Sequence, residues 1–402
     1  MRNWRIFFSV MFCFSLAYSV RLAAEIPVQP VVPEPSPIEV VDDYRKGDAS
    51  LFGGETLTLP RHARDVAVSG DGRYAYLIFD SGIGTDNFRV VDINDPENPV
   101  VVGGNSVNLS SYARAIAVFG DYAYIALSGP AGNNFRVVDI SSPSNPVLIT
   151  SSLSLPSDAW DIAVSDDGEY VYEVFANMLG TNSLRIINIS NPVAPVVVGG
   201  AGLNLPPYAR GVAVVSSSTI AVVCSNYRKD TFRLVDVGNP ASPTIVGGEA
   251  VSLPYFPWKV AVDGNFAYVV HFNHIRGENF HVIDVSDRTN PVIIGGESAD
   301  IYGNFQDIAV TSDTVYLLVD GPSNGLRVVN IDDPATPIHI GGEAVSLPYN
   351  PQALALAGDY LCLVFSQLST SSNVFRTVNV SVFVGQSIPP EKSAASYWNL
   401  YK

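Results

Sequence analysis

The segment FRVVDINDPENPVVVGG, beginning at Phe88, returns down the chain until nearly the whole sequence is used up. Close copies begin at Phe135, Leu184, Phe232, Phe280 and Leu326, and a truncated one, FRTVNVS, begins at Phe375. The second proline of each copy sets the period. Pro99, Pro146, Pro195, Pro243, Pro291 and Pro337 lie 47, 49, 48, 48 and 46 residues apart. A fixed period of this size limits the chain to a repeat architecture, in which each unit buries its apolar faces only against its neighbours.

Within one unit four short apolar runs follow one another: Ala113–Val118, Tyr122–Leu127, Phe135–Ile140 and Pro146–Thr150. Each is rich in Val, Ile or Tyr and is bounded by Gly, Asp, Asn or Pro, which reads as strand–turn–strand. None has the length or the 3.6-residue period of an amphipathic helix. Four antiparallel strands in a unit of this size make one blade of a β-propeller. The first-strand motif occurs seven times, at Ala63, Ala113, Ala159, Ala209, Pro257, Phe305 and Pro351. The fourth-strand ending precedes the first of these, at Gly53-Gly54, and has no clear copy after the last. The expected fold is therefore all-β, a seven-bladed propeller of four-stranded antiparallel blades, closed by the N-terminal strand (Ala49–Gly54) joining the last blade. The competing fourth strand is Val382–Gly385, which lacks the Pro-x-x-Pro turn.

An apolar run, an Asp, a Pro-x-x-Pro turn and a second apolar run ending at Gly make these units similar to LVIVP repeats. The resemblance covers about 49–385. It implies a propeller of a kind found mainly in exported bacterial proteins, with no single activity attached. The chain departs from the pattern by a Leu-Pro-x-Tyr-Ala insertion between fourth and first strands, as in Leu205–Ala209, which enlarges one face.

The N-terminus carries an export pattern: Arg2 and Arg5, the apolar Ile6–Leu16, then Ala17-Tyr18-Ser19 as a small-x-small cleavage site, with cleavage after Ala24 as the alternative. The expected organisation is a signal peptide over 1–19, a Pro-rich tether over 20–48, the propeller over 49–385 and a tail over 386–402. The destination is periplasmic, secreted or cell-surface. No later stretch is long and apolar enough to span a membrane. With 23 Lys and Arg against 39 Asp and Glu, the net charge is −16, which disfavours nucleic acid and anionic lipid. Past the signal segment only Cys224 and Cys362 remain. They fall in blades that do not touch, so two buried free thiols are expected.

The repeats supply an internal control, because a residue present in every blade serves the architecture. Arg89, Arg136, Arg185, Arg233, Arg327 and Arg376 recur at one strand position, with Asp92, Asp139, Asp236 and Asp284 three residues beyond that position, and read on that ground as bonds between blades rather than a catalytic array. Tyr76, Tyr124, Tyr172, Tyr268 and Tyr316 read as inter-blade core. The start of the first strand varies instead: Arg64, Arg114, Trp160, Arg210, Trp258, Gln306 and Gln352. If the first strands line the channel, these encircle its mouth, and Asp65, Asp161, Lys259 and Asp307 add charge beside them. Trp faces with Arg and Gln donors suit a sugar or a carboxylate-bearing ligand; the bland alternative is a plug of mutually paired side chains. Three histidines in blade five, His271, His274 and His281, lie near Glu278 and form a weak candidate metal site, weighed against structural histidines. Asp71-Gly72 and Asp166-Asp167-Gly168 read as hairpin turns rather than calcium loops.

No nucleophile elbow, phosphate loop or His-Glu-x-x-His motif occurs, and no cofactor is expected. The sequence leans away from catalysis. It points to an exported, monomeric binding or protein-interaction module that engages a protein, glycan or small-molecule ligand through its loop-rich face. Two rivals stand beside it: a glycan- or lactone-acting hydrolase or lyase at the channel mouth, with a pair such as Asp65 and Asp307 as its carboxylates, and a structural cell-envelope protein.

Overall fold

The computed structural model describes residues 51–59, 62–80, 87–105, 107–109, 111–128, 134–149, 153, 155–156, 159–178, 182–225, 231–249, 251–253, 256–272, 279–296, 301, 303–320, 325–341, 347, 350–366 and 373–383. They form seven four-stranded antiparallel sheets. Blade 1 consists of Ala63–Val68, Tyr74–Phe79, Phe88–Asp92 and Val100–Gly103, and blades 2 to 6 repeat it. The first strands are Ala63–Val68, Tyr112–Phe119, Ala159–Val164, Ala209–Ser216, Pro257–Asp263, Asn304–Val310 and Asn350–Ala357. Each touches the next, and the last touches the first, so they make a closed inner ring.

Blade 7 takes three strands from the C-terminal end of the ring, Asn350–Ala357, Tyr360–Ser366 and Asn373–Asn379, and its outer strand from the N-terminal side. That closing strand is Leu51–Leu59, longer than the expected Ala49–Gly54 because its partner stays extended back to Asn373. Pairing shifts between Phe52 and Leu57, then continues to Leu59 opposite Asn373. The competing stretch does not form a strand where it is described. Ser381–Phe383 makes a 3-10 turn, and Phe383 packs into the core between blades 6 and 7. The expected signal peptide, tether and tail lie outside the described residues.

Second and third strands are buried almost throughout because a blade is covered on both faces. Seven apolar clusters result, one at each blade–blade interface. The repeat tyrosines belong to them: Tyr76, Tyr124 and Tyr268 stack on the third-strand Phe88, Phe135 and Phe280 with ring centroids 6.3 Å apart. Among the described residues the two cysteines, Cys224 and Cys362, are free and buried.

The double glycine ending the fourth strand has two separate jobs. A Cβ on Gly199 would overlap the carbonyl of Pro240, in the Pro-x-x-Pro turn of the next blade. Gly200 has φ of 89°, and a Cβ there would come within 2.8 Å of the Leu184 carbonyl oxygen. The first glycine lets neighbouring blades close up; the second lets the chain leave the strand in a left-handed conformation.

The arginine series is anchored on backbone. Arg89, Arg136, Arg185, Arg233 and Arg327 each donate from Nη1 to the carbonyl one residue earlier, within their own blade. The aspartates do not pair with them. Asp92, Asp139, Asp236 and Asp284 each accept the N–H two residues later and shape the turn into the fourth strand. Both sets serve the architecture through backbone partners.

Glu173 departs from the apolar pattern. It lies on the second strand of blade 3, where the other blades carry Leu77, Ile125, Val222, Val269, Leu317 and Leu363. It is fully buried and neither carboxyl oxygen has a hydrogen-bond partner. Burial pushes its pKa well above the usual carboxyl range, against a smaller opposing pull from Arg185 across the strand pair.

Glu173→Leu should therefore stabilise the protein by about 1–3 kcal/mol at neutral pH, read by denaturant unfolding. The folded pKa is raised, so above about pH 4.3 the unfolded chain ionises while the folded one does not. Stability from this group is present below that pH and is lost as pH rises, so the gain in the variant should be larger at pH 7.5 than at pH 4. A gain independent of pH would contradict this account. Gly200→Ala should cost at least about 1 kcal/mol, whereas Gly202→Ala, where a Cβ meets nothing within 4 Å, should stay near neutral.

Candidate functional site

The seven expected mouth residues are brought together, and by a device not anticipated. In every blade the pairing of first and second strands skips one residue. Ala63 faces Phe79 and Asp65 faces Ile78, leaving Arg64 unpaired, and the same shift isolates Arg114, Trp160, Arg210, Trp258, Gln306 and Gln352. Each is the extra residue of a β-bulge on the inner strand. A bulge bends the strand and re-aims one side chain. Here seven bulges in register turn seven side chains to one end of the ring.

These side chains stack rather than leave an open hole. The Arg210 guanidinium carbon sits 3.5 Å from the Trp160 ring centroid, and those of Arg114 and Arg64 at 5.2 and 5.9 Å. Trp160 meets Trp258 edge-on, at 5.5 Å and 82°. Trp258 stacks in turn on Phe272 at 4.8 Å. Gln352 folds back and donates Nε2 to the Pro351 carbonyl of its own strand at 3.3 Å. The space left between Arg64, Arg114, Trp160, Trp258, Gln306 and Gln352 is about 30 Å³, the room of a single water.

Immediately below lies a polar layer made by the residue after each bulge: Asp65, Ala115, Asp161, Gly211, Lys259, Asp307 and Ala353. An aspartate is followed by a small residue in the next blade, and its carboxylate enters the space so made. Asp65 accepts the N–H of Ile116 at 3.0 Å, Asp161 that of Val212 at 3.1 Å, and Asp307 that of Leu354 at 2.9 Å. Asp65 and Asp307 also accept the N–H of the residue that follows each of them. The alternation cannot be completed in a ring of seven, and the odd place holds Lys259, whose Nζ donates to Asp161 Oδ1 at 2.8 Å.

Burial raises the pKa of Asp65 to about 7, against the opposing pull of Lys259, and raises Asp307 for the same reason. Burial alone would lower the Lys259 ammonium, but Asp161, Asp307 and Asp65 outweigh it and hold Lys259 above its usual value. Asp65 and Asp307, considered from sequence as acid–base partners, line the same small space with their oxygens bonded to backbone N–H groups of the ring. Their geometry is that of staples between blades.

The histidine cluster of blade 5 is described only in part. His271 and His281 are buried with ring centroids 4.8 Å apart, and burial lowers the pKa of His281 to about 4. His274 and Glu278 lie outside the described residues. No group of three His, Cys, Asp or Glu among the described residues is placed to hold a metal ion. Asp71 and Asp167 shape hairpin turns, each bonding a serine two residues before it and the N–H two residues after it.

Sequence reasoning located the mouth residues but missed their bulges, the stapling role of the aspartates and the part of Phe272. Two exposed apolar residues on this face also went unnoticed. Tyr112, beginning the first strand of blade 2, is 50% exposed, and Met178, just past the second strand of blade 3, is 70% exposed. Both leave their strands at the end of the ring that carries the bulges, since Tyr112 pairs with Ser128 and Ala159 with Phe175.

Comparison with known proteins bears on this architecture. None of the curated proteins compared with the chain matches it. Among solved structures, a functionally unknown protein from Desulfotomaculum acetoxidans is similar, with TM-score 0.56 and 15% identity over 79% of this chain and 95% of that one. Kuenenia stuttgartiensis hydrazine synthase gives TM-score 0.58 and 14% identity over 82% and 98%. The β-propeller domain of Myceliophteria thermophila Cps50 (Swd1) gives 0.57 and 11% over 83% and 100%. At such identities the likeness is one of fold alone. No helix among the described residues is long and apolar enough to cross a membrane. The LVIVD repeat model matches residues 60–105, 110–153, 156–200 and 257–296, which are blades 1, 2, 3 and 5. The chain is thus a seven-bladed β-propeller that carries four LVIVD repeats, its other three blades having the same four-stranded make.

Proposed function

We propose that this propeller is a protein-binding module, acting as an exported monomer, whose docking surface is the loop-rich face around the plugged mouth. The observation that carries the reading is the plug itself. A space of about 30 Å³ admits a water but not a sugar ring or a lactone, so recognition falls to the surface above it. That surface has the composition of a binding hot spot. Trp160, Trp258 and Arg210 form a stacked, half-buried platform, and exposed Tyr112 and Met178 lie on the same face. Aromatic, Met and Arg side chains are those enriched where proteins dock. The platform is rigid because each member is held by its neighbour and by a bulge in the inner ring, which limits the ordering cost of binding. Export rests on the Arg2–Ser19 pattern.

The hydrolase or lyase reading needs two carboxylates free to act on a substrate, and Asp65 and Asp307 are instead engaged with backbone donors in a nearly filled space. The envelope-protein reading has one observation in its favour. Val100, Val147, Val196, Val292 and Ile338 are exposed at the starts of outer strands, one to a blade. They are spread around the rim by the repeat and make no contiguous patch of the size expected for an apolar interface.

The test is affinity capture of cell-envelope proteins on the immobilised chain, followed by measured affinities for the captured partner. Tyr112→Glu and Met178→Glu, both at exposed positions, should leave the circular dichroism spectrum unchanged and weaken binding about tenfold or more. Equal binding by both variants would remove the loop-rich face from consideration. Thermal stabilisation by a glycan or lactone, abolished in Trp160→Ala, would favour a ligand site at the mouth instead.

A further inference from the structure

Three guanidiniums converge on one indole from three different blades. Arg64 comes from blade 1, Arg114 from blade 2 and Arg210 from blade 4, and their guanidinium carbons lie 5.9, 5.2 and 3.5 Å from the Trp160 ring centroid. Like charges gathered in a partly buried place need a counter-charge. The carboxylates of the layer below do not supply it to Arg64 or Arg114. Asp65, Asp161 and Asp307 accept instead from backbone N–H groups, and Asp161 also from Lys259. Among the described residues Arg64 and Arg114 make no hydrogen bond and no ion pair. The Arg114 Nε is buried without a hydrogen-bond partner. Burial first and the Arg114 charge second hold the Arg64 pKa below its ordinary value, and Asp80 and Asp65 offset this only in part.

The indole fixes how these groups are presented. A guanidinium beside an aromatic ring is held by the ring's electrons and keeps its in-plane N–H donors for a partner at its edge. Trp160 is itself set edge-on against Trp258, which stacks on Phe272, so the forks are positioned in advance of any partner. A guanidinium fork meets a carboxylate with two parallel bonds. Forks from two adjacent blades suit carboxylates on neighbouring positions of a peptide. A polyanionic glycan fits less well, because it needs a broad basic field and the chain carries a net charge of −16. The aromatic platform beside the forks, with exposed Tyr112 and Met178 on the same face, suits an apolar residue next to the carboxylates.

We propose that the mouth recognises an acidic segment of a protein partner, whose carboxylates pair with Arg64 and Arg114 while a neighbouring apolar side chain lies on the indole platform. The inference rests on the loop-rich face being the docking surface, and adds the charge that its partner must carry. It runs against the overall charge. An acidic chain attracts basic ligands in general, so only a local site selects an acidic one.

Titration of the full chain with acetyl-Glu-Glu-Leu-amide and with its Gln-Gln and Lys-Lys counterparts, followed by calorimetry and by tryptophan fluorescence, tests it. The Glu-Glu peptide should shift the indole emission, bind about tenfold more tightly than the Gln-Gln peptide, and weaken as salt rises. The Lys-Lys peptide should leave the emission unchanged. Arg64→Gln combined with Arg114→Gln should weaken the Glu-Glu peptide about tenfold or more. Arg73→Gln, in the exposed hairpin turn at the other end of blade 1, should bind it as the parent does. Should the double variant fold poorly, each single substitution should still weaken the peptide about threefold. Equal binding of the Glu-Glu and Gln-Gln peptides, unchanged binding by the arginine variants, or tighter binding of a sulfated disaccharide through the same arginines would overturn the proposal. Failure of the docking face alone looks different: Tyr112→Glu and Met178→Glu would leave partner binding intact while the Glu-Glu peptide still bound through Arg64 and Arg114.

Discussion

The pairing of Leu51–Leu59 with Asn373–Asn379 joins opposite ends of the ring, and the remaining contacts depend on it. A single blade is a thin sheet with two apolar faces, and it buries both only when it has a neighbour on each side. Six interfaces follow from the order of the repeats; the seventh exists only if the ends meet. Leu57 and Leu59 join the same cluster as Ala63, Phe79, Cys362 and Phe375, so closing the sheet and filling the seam core are one event. The price is loop-closure entropy over nearly the whole domain, which grows only logarithmically with length. Closure also removes the unpaired edge that an open stack would present.

A closed ring of seven then constrains its own centre. Inner strands approach too closely for a large side chain at every place, and alternating Asp with Ala or Gly relieves the crowding while supplying bonds from blade to blade. Seven is odd, so one place breaks the alternation, and Lys259 there brings the positive charge that three buried carboxylates require. Above this layer the bulges turn Arg and Trp side chains over the opening. The centre is thereby a polar joint between blades, capped by stacked Arg and Trp side chains.

The repeats made much of this readable in advance. Strand count, blade count, the N-terminal closure and the buried thiols all follow from where the motif begins and ends. The mouth residues stood out because they vary where the rest of the unit does not. Their bulges were not visible, since a bulge is a mismatch in pairing between two strands and leaves no mark in either one alone. The arginine series was legible as architecture, but the carbonyl that each guanidinium meets was not. Residue type shows that a guanidinium will find a carbonyl, but not which carbonyl is nearest. Tyr112 and Met178 were overlooked for a related reason: exposure depends on what packs above a residue.

By itself, the sequence determined the period, the strand pattern, the two-sided burial of the blades and the variable ring of side chains at the channel mouth. Those are consequences of residue type and spacing, which act locally. The tertiary structure decided which oxygens the aspartates and arginines use, and that the mouth is plugged. Such outcomes depend on the distance between atoms far apart in the chain. Those distances are set only when the ring has closed.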